Sequence, residues 1–470
     1  MMELKDKSAL VLGAGKSGVS AVRFLLEKGC AVALYDGNAA EKPVYEELRT
    51  AGCEMILGEL PDLSARSFDC AVISPGIPLT NPCAVLLKEH DIPIWGELEL
   101  ASRFITAPII GITGTNGKTT TTTLIGEIFK NAGHKVFVGG NIGVPLLEAL
   151  KDEYDYYVVE MSSFQLETIE TMDVTVSVVL NLTPDHLDRH GDMEGYLAAK
   201  GRLVEKQSED HYAVLNLDDP YVRTLAEKKG KNAYFFTRKD MVYHGVTWSV
   251  KYPIPLPDEK PEDTKKREVH WLTFRGDMID RSERVMDPRK IRLPGPHNLE
   301  NAMAAMTAAK ILGVPNEAIQ NTLMEFAGVE HRLEDVRVLR GVRYVNDSKA
   351  TNPDSVFKAL DSYGDAPIIL IGGGRNKGNT FDDLAKVMAE KCSHVILMGE
   401  AAHDMMISAE KAGVPDIRKV ADMAEAVALA ADLAVEGDVV LLSPANASFD
   451  QFNSFEHRGK VFKELVNELK

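Results

Sequence analysis

The stretch "PIIGITGTNGKTTTTTLIGEIFK", residues 108–130, decides the fold of this chain. An apolar run typical of a buried strand leads into the turn "GTNGKTT", and a helical pattern follows the turn. A strand, a glycine-containing turn and a helix in that order place free backbone N–H groups at a helix N-terminus, where they bind phosphate. The stretch therefore predicts a phosphate-binding loop inside an α/β domain.

This loop departs from the standard P-loop pattern, in which a glycine and four further residues precede Gly-Lys. The required glycine falls at position 112, which is Ile112, while Gly111 and Gly114 lie out of register. The loop can still bind phosphate, because its consecutive backbone N–H groups form an anion-binding nest. Lys118 can reach the outer phosphates of a nucleotide, and Thr119 can be a ligand of Mg²⁺. An exposed lysine in such a turn has little use in packing, so a purely structural role is disfavoured.

A second glycine pattern, "VLGAGKSG" at residues 11–18, also follows a predicted strand and precedes a predicted helix. Asp36 ends the next predicted strand, as in a dinucleotide-binding fold. This loop does not require a redox cofactor, because any nucleotide diphosphate fits the same geometry. A tight turn with no ligand is the structural alternative. A dehydrogenase interpretation that rests on this loop alone leaves "GTNGKTT" unexplained.

Short apolar runs alternate with helical patterns along the chain, which predicts parallel sheets covered by helices on both faces. We predict three consecutive α/β domains: a Rossmann-like N-terminal domain (1–104), a central P-loop-type ATPase domain with a mainly parallel sheet (105–328) and a C-terminal Rossmann-like domain (329–470). Strands are predicted at "SALVLG", "AVALYD", "CAVISPG", "PIIGIT", "KVFVGG", "DYYVVEMSS", "TVSVVLN", "YAVLN", "VRYVND", "APIILIGG", "HVILMG" and "DVVLLSP". Within residues 238–292, "YPIPLPDEKPEDTKK" predicts an exposed loop and "EVHWLTF" a hairpin strand, and "PHNLENAMAAMTAAKILG" after them predicts a helix.

The formal net charge of −17 argues against nucleic acid as a partner, because phosphate backbones require a basic surface. No apolar run approaches the ~20 residues that span a bilayer, and the start lacks the apolar region of a signal peptide. We therefore expect a soluble, cytoplasmic protein. The cysteines form no C-x-x-C pair, which favours buried free thiols; they are Cys30, Cys53, Cys70, Cys83 and Cys392.

Polar residues that follow predicted strands are the candidate metal ligands. Glu160 ends the run "YYVVE", where it can bind Mg²⁺ beside a phosphate loop or cap a helix. The segment "NLTPDHLDRH" follows another strand and offers Asp185, His186 and Asp188 at the edge where ligands of α/β sheets gather. Lys200, in "YLAAKGRL", has by itself the pattern of a helix lysine on a solvated face.

Three of these motifs occur together: "GTNGKTT", "EMSSFQLE" and "NLTPDHLDRHGDMEGYLAAK". Together they resemble the Mur ligase family, and "HNLENAMAA", "EHRLE", "NDSKATNPDS" and "LSPANASFDQFNSFEHRG" extend the resemblance from residue 8 to the C-terminus. The resemblance implies an ATP-dependent ligase of peptidoglycan precursor synthesis. It implies that D-glutamate is added to UDP-N-acetylmuramoyl-L-alanine through an acyl-phosphate intermediate.

The resemblance also implies the roles of individual residues on the nucleotide side. Lys118, Glu160, His186 and Lys200 would be the catalytic residues. Thr119 and Glu160 would hold one Mg²⁺, and His186 would hold a second with Lys200, once CO₂ has carbamylated that lysine. The ATP-binding residues would be Gly114, Thr115, Asn116, Gly117, Lys118, Thr119, Thr120, Thr121, Asn298, Arg332, Asp347 and Lys349.

Two further groups of residues match the positions of the other substrates, and the N-terminal domain would hold UDP rather than a redox dinucleotide. The residues for the UDP-sugar would be Ser17, Asp36, Ser74, Pro75, Gly76, Asn141, Ser162 and Asp185. The residues for D-glutamate would be Thr351, Lys377, Ser448 and Phe455, with Lys377 favoured over Arg375. The chain departs from the family at Gly37 and Asn38, where Thr and Arg are common, and at Asn446, where Cys is common.

Other functions compete with this one. Another Mur-type ligase would add L-alanine or a diamino acid, but the D-N-P-R stretch of enzymes that use meso-diaminopimelate is missing. Folylpolyglutamate synthase shares the central fold but would lack the first domain. A nucleotide-binding relative without catalysis would have lost at least one of the four catalytic residues. We expect a monomer that binds small molecules only.

Overall fold

The computed structural model describes residues 3–63, 67–239, 241–251, 265, 268–276, 282–376 and 378–470. Three sheets confirm the predicted series of three α/β domains. The chain forms two compact units, residues 1–290 with 300–323 and residues 291–299 with 324–470. The first unit contains two of the sheets, and the domain boundaries near 104 and 328 stay predictions. Most of the predicted loop "YPIPLPDEKPEDTKK" lies outside the described residues.

The N-terminal sheet is wholly parallel, with strand order β3-β2-β1-β4-β5. Its strands are β1 (Ser8–Leu12), β2 (Ala31–Asp36), β3 (Glu54–Leu57), β4 (Cys70–Ile73) and β5 (Ile94–Gly96). Its helices are α1 (Lys16–Glu27), α2 (Pro43–Thr50), α3 (Pro82–Glu89) and α4 (Glu97–Ser102). The central strands β1 and β4 are buried throughout their apolar runs because helices cover both faces.

The central sheet has the order β14-β13-β12-β11-β10-β9-β6-β8-β7, parallel from β12 to β7 and antiparallel beyond β12. Its strands are β6 (Ile109–Thr113), β7 (Val136–Gly140), β8 (Tyr156–Glu160), β9 (Val176–Val179), β10 (Tyr212–Asn216), β11 (Ala233–Thr237), β12 (Gly245–Lys251), β13 (Val269–Arg275) and β14 (Ser282–Met286). The helices that follow in the chain are α5 (Lys118–Asn131), α6 (Ser163–Leu166), α7 (Leu187–His190), α8 (Met193–Glu205), α9 (Pro296–Ile311) and α10 (Asn316–Glu325). Strand β13 and helix α9 confirm the predictions made from "EVHWLTF" and "PHNLENAMAAMTAAKILG".

The C-terminal sheet has the order β15-β16-β20-β17-β18-β19, with the β15–β16 pair antiparallel and the other pairs parallel. Its strands are β15 (Glu334–Leu339), β16 (Val342–Asn346), β17 (Ile368–Gly373), β18 (Cys392–Met398), β19 (Ile417–Lys419) and β20 (Val439–Ala445). Its helices are α11 (Pro353–Asp361), α12 (Asp382–Lys391), α13 (Ala402–Ala412), α14 (Met423–Leu433) and α15 (Phe455–Glu468). All twelve apolar runs predicted as strands form strands in the three sheets.

The cysteine prediction is confirmed: all five thiols are free and buried. Burial raises the pKa of Cys53 to about 11, which keeps this thiol protonated and unreactive at neutral pH. Within the part of the chain that the structure describes, no helix has the length and apolar character needed to cross a membrane.

Helix α4 joins the N-terminal sheet to the central domain through two buried carboxyl groups. Glu99 accepts hydrogen bonds from the backbone N–H groups of Glu170, Thr171 and Met172 at 2.8–3.2 Å. In the same turn of α4, Oε1 of Glu97 accepts from the N–H of Leu147 at 2.7 Å. Both acceptors lie on α4 and all four donors lie in the central domain. The two domains of the first unit are therefore fastened together by backbone groups, which have little freedom to move.

The carboxyl group of Glu97 is expected to make the stability of the protein depend on pH. Burial raises its pKa from 4.5 to about 7, and its Oε2 has no hydrogen-bond partner among the described residues. The folded chain therefore holds the proton more tightly than the unfolded chain does. Its contribution to the free energy of unfolding is complete below pH 4.5 and is lost as the pH rises to about 7. The loss amounts to about 3 kcal/mol.

Glu97→Gln should remove this dependence, because the amide keeps the bond to Leu147 and does not titrate. Denaturant unfolding at pH values on either side of the titration, about 5 and about 8, measures it. We expect the unfolding free energy of the wild type to fall by about 2–3 kcal/mol more than that of the variant. Glu89→Gln, on the exposed end of α3, is the control and should follow the wild type. If the unfolding free energy falls equally in the wild type and in Glu97→Gln between these two pH values, Glu97 is ionised at both of them.

Candidate active site

The phosphate loop lies between strand β6 and helix α5, which begins at Lys118. Gly114 and Gly117 have φ angles of 148° and 83°, which residues with a side chain rarely adopt. At Gly117 a Cβ atom would also lie 2.2 Å from Oδ1 of Asn301. These two glycines therefore set the shape of the loop. The missing glycine at position 112 does not disturb it, because Ile112 is a buried residue of β6.

Lys118 folds back over the loop that precedes it. Its Nζ donates to the carbonyl oxygens of Gly114 at 2.9 Å and Thr115 at 2.8 Å. Asn181 supports the loop from the neighbouring strand end, since its side chain accepts from the N–H of Asn116 at 2.8 Å and donates to its carbonyl at 3.0 Å. The ammonium group of Lys118 thus lies at the anion-binding turn, where phosphate oxygens can replace the two carbonyl acceptors.

Glu160 lies beside the start of helix α5 because its strand, β8, pairs with β6. Its Oε2 accepts from the hydroxyl of Thr119 at 2.8 Å, and its Oε1 accepts from Nδ2 of Asn141 at 2.9 Å. Glu160 as a whole is only 2% exposed. Two hard oxygen donors, from Thr119 and Glu160, therefore stand together at the phosphate loop, which is the donor set that Mg²⁺ prefers. The alternative role of Glu160 as a helix cap is wrong, because Ser162 caps helix α6.

Lys200 is buried, so the solvated-face interpretation is wrong. Its Nζ donates to the carbonyl of Gly114 at 3.0 Å and to the hydroxyl of Thr113 at 3.4 Å, and lies 4.7 Å from the centre of the Tyr196 ring. Burial, together with the nearby charge of Lys118, holds the pKa of this amine well below its usual value. A lowered pKa favours the neutral form of the amine, whose lone pair can attack the carbon of CO₂. The environment of Lys200 therefore fits carbamylation.

His186 and Asp185 lie on the loop that follows strand β9. His186 has a φ angle of 53°, an uncommon conformation for a residue with a side chain. Its Nε2 lies 3.7 Å from Oδ2 of Asp185, and its ring packs edge-on against Phe164 at 4.8 Å. Strained backbone of this kind is found at functional sites, where the surrounding fold maintains it. The loop therefore presents an imidazole and a carboxylate together at the carboxyl edge of the central sheet.

Ser162 has a structural role in the capping box of helix α6. Its hydroxyl accepts from the N–H of Gln165 at 3.2 Å, while Oε1 of Gln165 accepts from the N–H of Ser162 at 2.9 Å. The cap fixes the chain direction directly after Glu160, which helps to hold that carboxylate in place. The predicted contact of Ser162 with the UDP-sugar stays a prediction, as does that of Asn141.

The glycine turn of the N-terminal domain is built for close packing. A Cβ atom at Gly18 would lie 1.9 Å from the carbonyl oxygen of Gly13, so only glycine allows α1 to approach the turn. The hydroxyl of Ser74 donates to the same carbonyl at 3.2 Å, which joins the predicted turn at Ser74, Pro75 and Gly76 to this loop. Ser17 lies in the first turn of α1, beside Gly18. The two predicted halves of the UDP site are therefore in contact.

Asp36 is bonded within its own domain. It accepts from Lys42 at 2.6 Å, from the hydroxyl of Tyr45 at 2.7 Å and from the N–H of Asn38 at 3.0 Å. Burial acts to raise the pKa of this carboxyl group, but these hydrogen bonds outweigh burial and hold the pKa below its usual value. Asp36 is therefore a fixed negative charge at neutral pH, and its predicted contact with the UDP-sugar stays a prediction.

The remaining predicted residues belong to the second unit, apart from Lys377, which lies outside the described residues. Asp347 is 1% exposed and accepts from the hydroxyl of Ser443 at 2.8 Å; burial raises its pKa to about 6. Nε of Arg332 is buried and has no hydrogen-bond partner in the described part of the chain. Because buried donors normally have a partner, this group is available to donate to an anion. The ammonium of Lys349 lies 5.3 Å from the centre of the Phe455 ring. Four of the predicted ATP-binding residues, Asn298, Arg332, Asp347 and Lys349, thus belong to the second unit, whereas residues 114–121 belong to the first.

Two other predicted residues of this unit occupy structural positions. Asn298 donates through its side chain to the carbonyl of Pro294 at 2.7 Å, and Ser448 is 2% exposed. Arg375, the candidate that was passed over in favour of Lys377, forms an exposed ion pair with Glu400 at 2.9 Å. The predicted roles of Asn298, Ser448 and Thr351 stay predictions.

Sequence reasoning missed Arg458, a buried cation that joins two loops of the second unit. Its guanidinium donates to the hydroxyl and carbonyl of Ser348 at 3.0 and 2.8 Å and to the carbonyl of Asn446 at 3.1 Å. Burial lowers its pKa to about 10. Ser348 lies between Asp347 and Lys349, so Arg458 supports the predicted ATP-binding segment. In the sequence, Arg458 is only one charged residue inside "NSFEHRG", and no pattern assigns it a role. Sequence reasoning missed the supporting residues Asn181 and Asn301 for the same reason.

Comparison with known families covers most of the chain. Residues 7–96 match the family model "Mur ligase MurD-like, N-terminal domain", and residues 112–309 match "Mur ligase middle domain". Residues 331–446 match "Mur ligase, glutamate ligase domain". The first and third matched ranges contain the N-terminal and C-terminal sheets, and the second contains the central sheet apart from the first three residues of β6.

Several relatives match over the full length of the chain, and each is named UDP-N-acetylmuramoylalanine–D-glutamate ligase. That of Pelotomaculum thermopropionicum is 46% identical over 476 residues, covering 99% of both chains. Those of Caldanaerobacter subterraneus and Clostridioides difficile are 42% and 41% identical, each covering 100% of both chains.

Solved structures share the fold at lower identity. UDP-N-acetylmuramate-alanine ligase MurC from Thermotoga maritima matches with a TM-score of 0.59 at 17% identity, covering 99% of this chain and 100% of its own. A pseudomurein peptide ligase type C from Methanothermus fervidus matches with a TM-score of 0.58 at 23% identity and the same coverage. These likenesses support the three-domain α/β architecture.

Proposed function

The chain belongs to the Mur ligase family, and from this membership we propose that it is the ATP-dependent ligase that joins D-glutamate to UDP-N-acetylmuramoyl-L-alanine in peptidoglycan precursor synthesis. The observation that carries the proposal is the 46% identity over 99% of both chains to a ligase of that name. The MurD-like N-terminal domain at residues 7–96 supports the same choice within the family. The bond formed is an amide between the alanine carboxyl group and the amino group of D-glutamate.

The reaction needs an activated carboxyl group, because a carboxylate is a poor electrophile. The terminal phosphoryl group of ATP passes to the alanine carboxylate and gives an acyl phosphate. The amine of D-glutamate then attacks the acyl carbon, and inorganic phosphate leaves. Several anionic oxygens must approach one another in the first step, and fixed positive charge lowers that barrier. Lys118 supplies such a charge when it moves from the Gly114 and Thr115 carbonyls to the phosphates.

Mur ligases use ATP and Mg²⁺, and the residues at the phosphate loop fit the ion. Thr119 and Glu160 would hold it, because their oxygens stand 2.8 Å apart beside the start of helix α5. A bound Mg²⁺ supplies neutralisation of phosphate charge. Asn141 keeps the carboxylate of Glu160 oriented by its bond to Oε1. We assign a second Mg²⁺ to His186 together with carbamylated Lys200.

Carbamylation of Lys200 should be visible by NMR with isotopically labelled bicarbonate. The buried amine attacks the carbon of CO₂, an N–C bond forms, and the nitrogen releases a proton to solvent. We expect one carbamate carbon resonance in the wild type and none in Lys200→Ala. Lys130→Ala, an exposed lysine on helix α5, should keep the resonance. A spectrum of the wild type without a carbamate signal would overturn this assignment, and a signal that survives in Lys200→Ala would place the carbamate elsewhere.

We assign the substrates to the two units by the residues that each contains. The turn at Ser74, Pro75 and Gly76, with Ser17 and Asp36, holds the UDP end of the sugar nucleotide. Its alanine end extends toward Asn141, Ser162 and Asp185. In the second unit, Asn298 is assigned to bind the adenine of ATP and Asp347 its ribose. Arg332 and Lys349 are assigned to bind the phosphates. D-Glutamate is assigned to Thr351, Lys377, Ser448 and Phe455. The partners are small molecules only, and we propose that the enzyme acts as a monomer in the cytoplasm.

Amino-acid dependence of phosphate release tests the proposed function. Purified protein with ATP, Mg²⁺ and UDP-N-acetylmuramoyl-L-alanine should release phosphate with D-glutamate and with no other single amino acid. A second mixture contains UDP-N-acetylmuramate and L-alanine in place of UDP-N-acetylmuramoyl-L-alanine and D-glutamate, and it tests for the reaction of the alternative family member. Turnover in that second mixture, or with a diamino acid, would assign the chain to another step. Binding of ATP with no turnover in any mixture would indicate a relative without catalysis.

A further inference from the structure

Arg189 makes contacts on both sides of the junction between the N-terminal and central domains. Its guanidinium forms a two-point ion pair with Glu167, with Nε–Oε1 and Nη2–Oε2 distances of 3.2 and 2.5 Å. It also donates to the carbonyl oxygens of Pro75 at 3.3 Å and Ile77 at 3.4 Å. The guanidinium lies over the ring of Phe164, 4.6 Å from its centre. Arg189 is thus surrounded by groups from two domains and is 14% exposed.

The contacts on the central-domain side hold the loop that carries His186. Arg189 and His190 are the last two residues of the short helix α7, and their N–H groups both donate to the carbonyl of His186 at 3.1 Å. The ring of His190 is held by the hydroxyl of Ser163 at 3.0 Å and lies 3.6 Å from Glu167. The guanidinium therefore fixes the segment that immediately follows His186, and thereby the direction of its backbone.

The contacts on the other side reach the turn that we assign to the UDP-sugar. Pro75 lies within that turn, which the N–H of Ile77 closes on the carbonyl of Ser74 at 2.9 Å. The hydroxyl of Ser74 continues the connection to the carbonyl of Gly13 in the glycine loop. The bonds from Arg189 to the two carbonyls are long, so each one is weak. The ion pair with Glu167 orients the guanidinium, and the carbonyls align to it.

We propose that Arg189 is a positioning residue that sets the spacing between the sugar-nucleotide turn at 74–77 and the His186 loop. This inference rests on the proposed function, because the turn and the loop are taken to bind the two ends of the same substrate. In this proposed role Arg189 contacts neither the reacting carboxyl group nor the phosphates. It acts by keeping the diphosphate end and the reactive end of the sugar nucleotide at a separation that the substrate can bridge.

Binding of UDP-N-acetylmuramoyl-L-alanine to Arg189→Ala and Arg189→Lys, measured by calorimetry, tests the proposal. Loss of hydrogen bonds from a charged group weakens an interaction by about 10- to 100-fold, so we expect the Kd for the sugar nucleotide to be weaker by about this factor. The KM values for ATP and D-glutamate should change by less than about threefold. Lysine keeps the positive charge beside Glu167 but cannot make the two-point pair and reach the carbonyls. Arg189→Lys should therefore keep the wild-type melting temperature and still bind the sugar nucleotide poorly.

Arg23→Ala is the matched control, because Arg23 forms an exposed ion pair with Glu47 on the N-terminal domain. It should bind the sugar nucleotide as the wild type does. Arg189→Lys with wild-type affinity would overturn the proposal, and so would an equal rise in KM for all three substrates. A wild type that fails to bind the sugar nucleotide at all would overturn the proposed function, and with it this inference.

Discussion

Replacing Lys118 with alanine is expected to lower kcat by at least about a thousandfold. The ammonium group already lies at the phosphate loop, 2.9 Å from the Gly114 carbonyl and 2.8 Å from that of Thr115. Alanine removes the positive charge from the place where anionic oxygens converge. Phosphate release in the presence of all three substrates and Mg²⁺ measures the loss. The sugar nucleotide should still bind, because its diphosphate end is assigned to another loop.

Lys130→Ala is the matched control for this variant. Lys130 lies on the same helix, but its ammonium group is exposed and pairs with Glu127 at 2.8 Å. Exposed pairs of this kind contribute little to stability, and no substrate is assigned to this end of the helix. Lys130→Ala should therefore keep wild-type kcat. Activity that survives in Lys118→Ala would remove Lys118 from the phosphate role and leave the loop's backbone N–H groups as the main anion-binding element.

Replacing Glu160 with glutamine is expected to reduce kcat/KM about 10²- to 10³-fold and to raise the Mg²⁺ concentration needed for half-maximal activity at least tenfold. Glutamine has the shape of glutamate and can keep bonds to Thr119 and Asn141 through its amide. It lacks the negative charge that attracts a divalent cation. Titration of activity with Mg²⁺ separates loss of metal binding from loss of fold.

Glu127→Gln is the control for Glu160→Gln, because it removes an exposed carboxylate from helix α5 and should leave the Mg²⁺ titration unchanged. Saturating Mg²⁺ should restore part of the activity of Glu160→Gln, since the Thr119 hydroxyl and the phosphates remain as ligands. A Mg²⁺ dependence equal to that of the wild type would mean that Glu160 serves only to orient Thr119.

The positions of residues close to sequence motifs, such as Glu160, could be predicted from the sequence. The position of Glu160 follows from a rule of parallel sheets, in which the carboxyl ends of neighbouring strands share an edge. Strand β8 lies next to β6, and this brings Glu160 to Thr119 across 41 positions of sequence. The strand predictions succeeded for the same reason, because continuous apolar runs mark strands that are buried on both faces.

The burial of Lys200 could not be predicted from its helix. Alternation of polar and apolar residues in "YLAAKGRL" does not show which face of α8 meets the phosphate loop. The answer depends on the packing of Tyr196 and on the carbonyl of Gly114, which lies 86 positions earlier in the chain. Resemblance to a family suggested the role that we propose for Lys200, but the burial that lowers the pKa of its amine became evident only from the fold.

Arg189, Arg458 and the two glutamates of α4 were missed for a related reason. Each is a charged residue to which the sequence pattern assigned no role, and each has hydrogen-bond partners far away in sequence. Glu99 accepts from residues more than 70 positions away, and Arg458 donates to Ser348 across 110 positions. Local pattern carries no information on such contacts. The short strands β3, β5 and β19 also escaped prediction, because runs of three or four residues show no clear period.

The attachment of helix α4 to the central domain limits which substrates the enzyme can accept. Its two carboxyl groups bond directly to the backbone of the central domain, so the glycine turn at Gly13 and the phosphate loop at Gly114 are held a set distance apart. A molecule that must reach both places has to match that distance. We therefore expect the enzyme to select by length: a precursor with one extra residue between sugar and carboxyl group should bind through its UDP yet carry its carboxyl group past the point of phosphorylation.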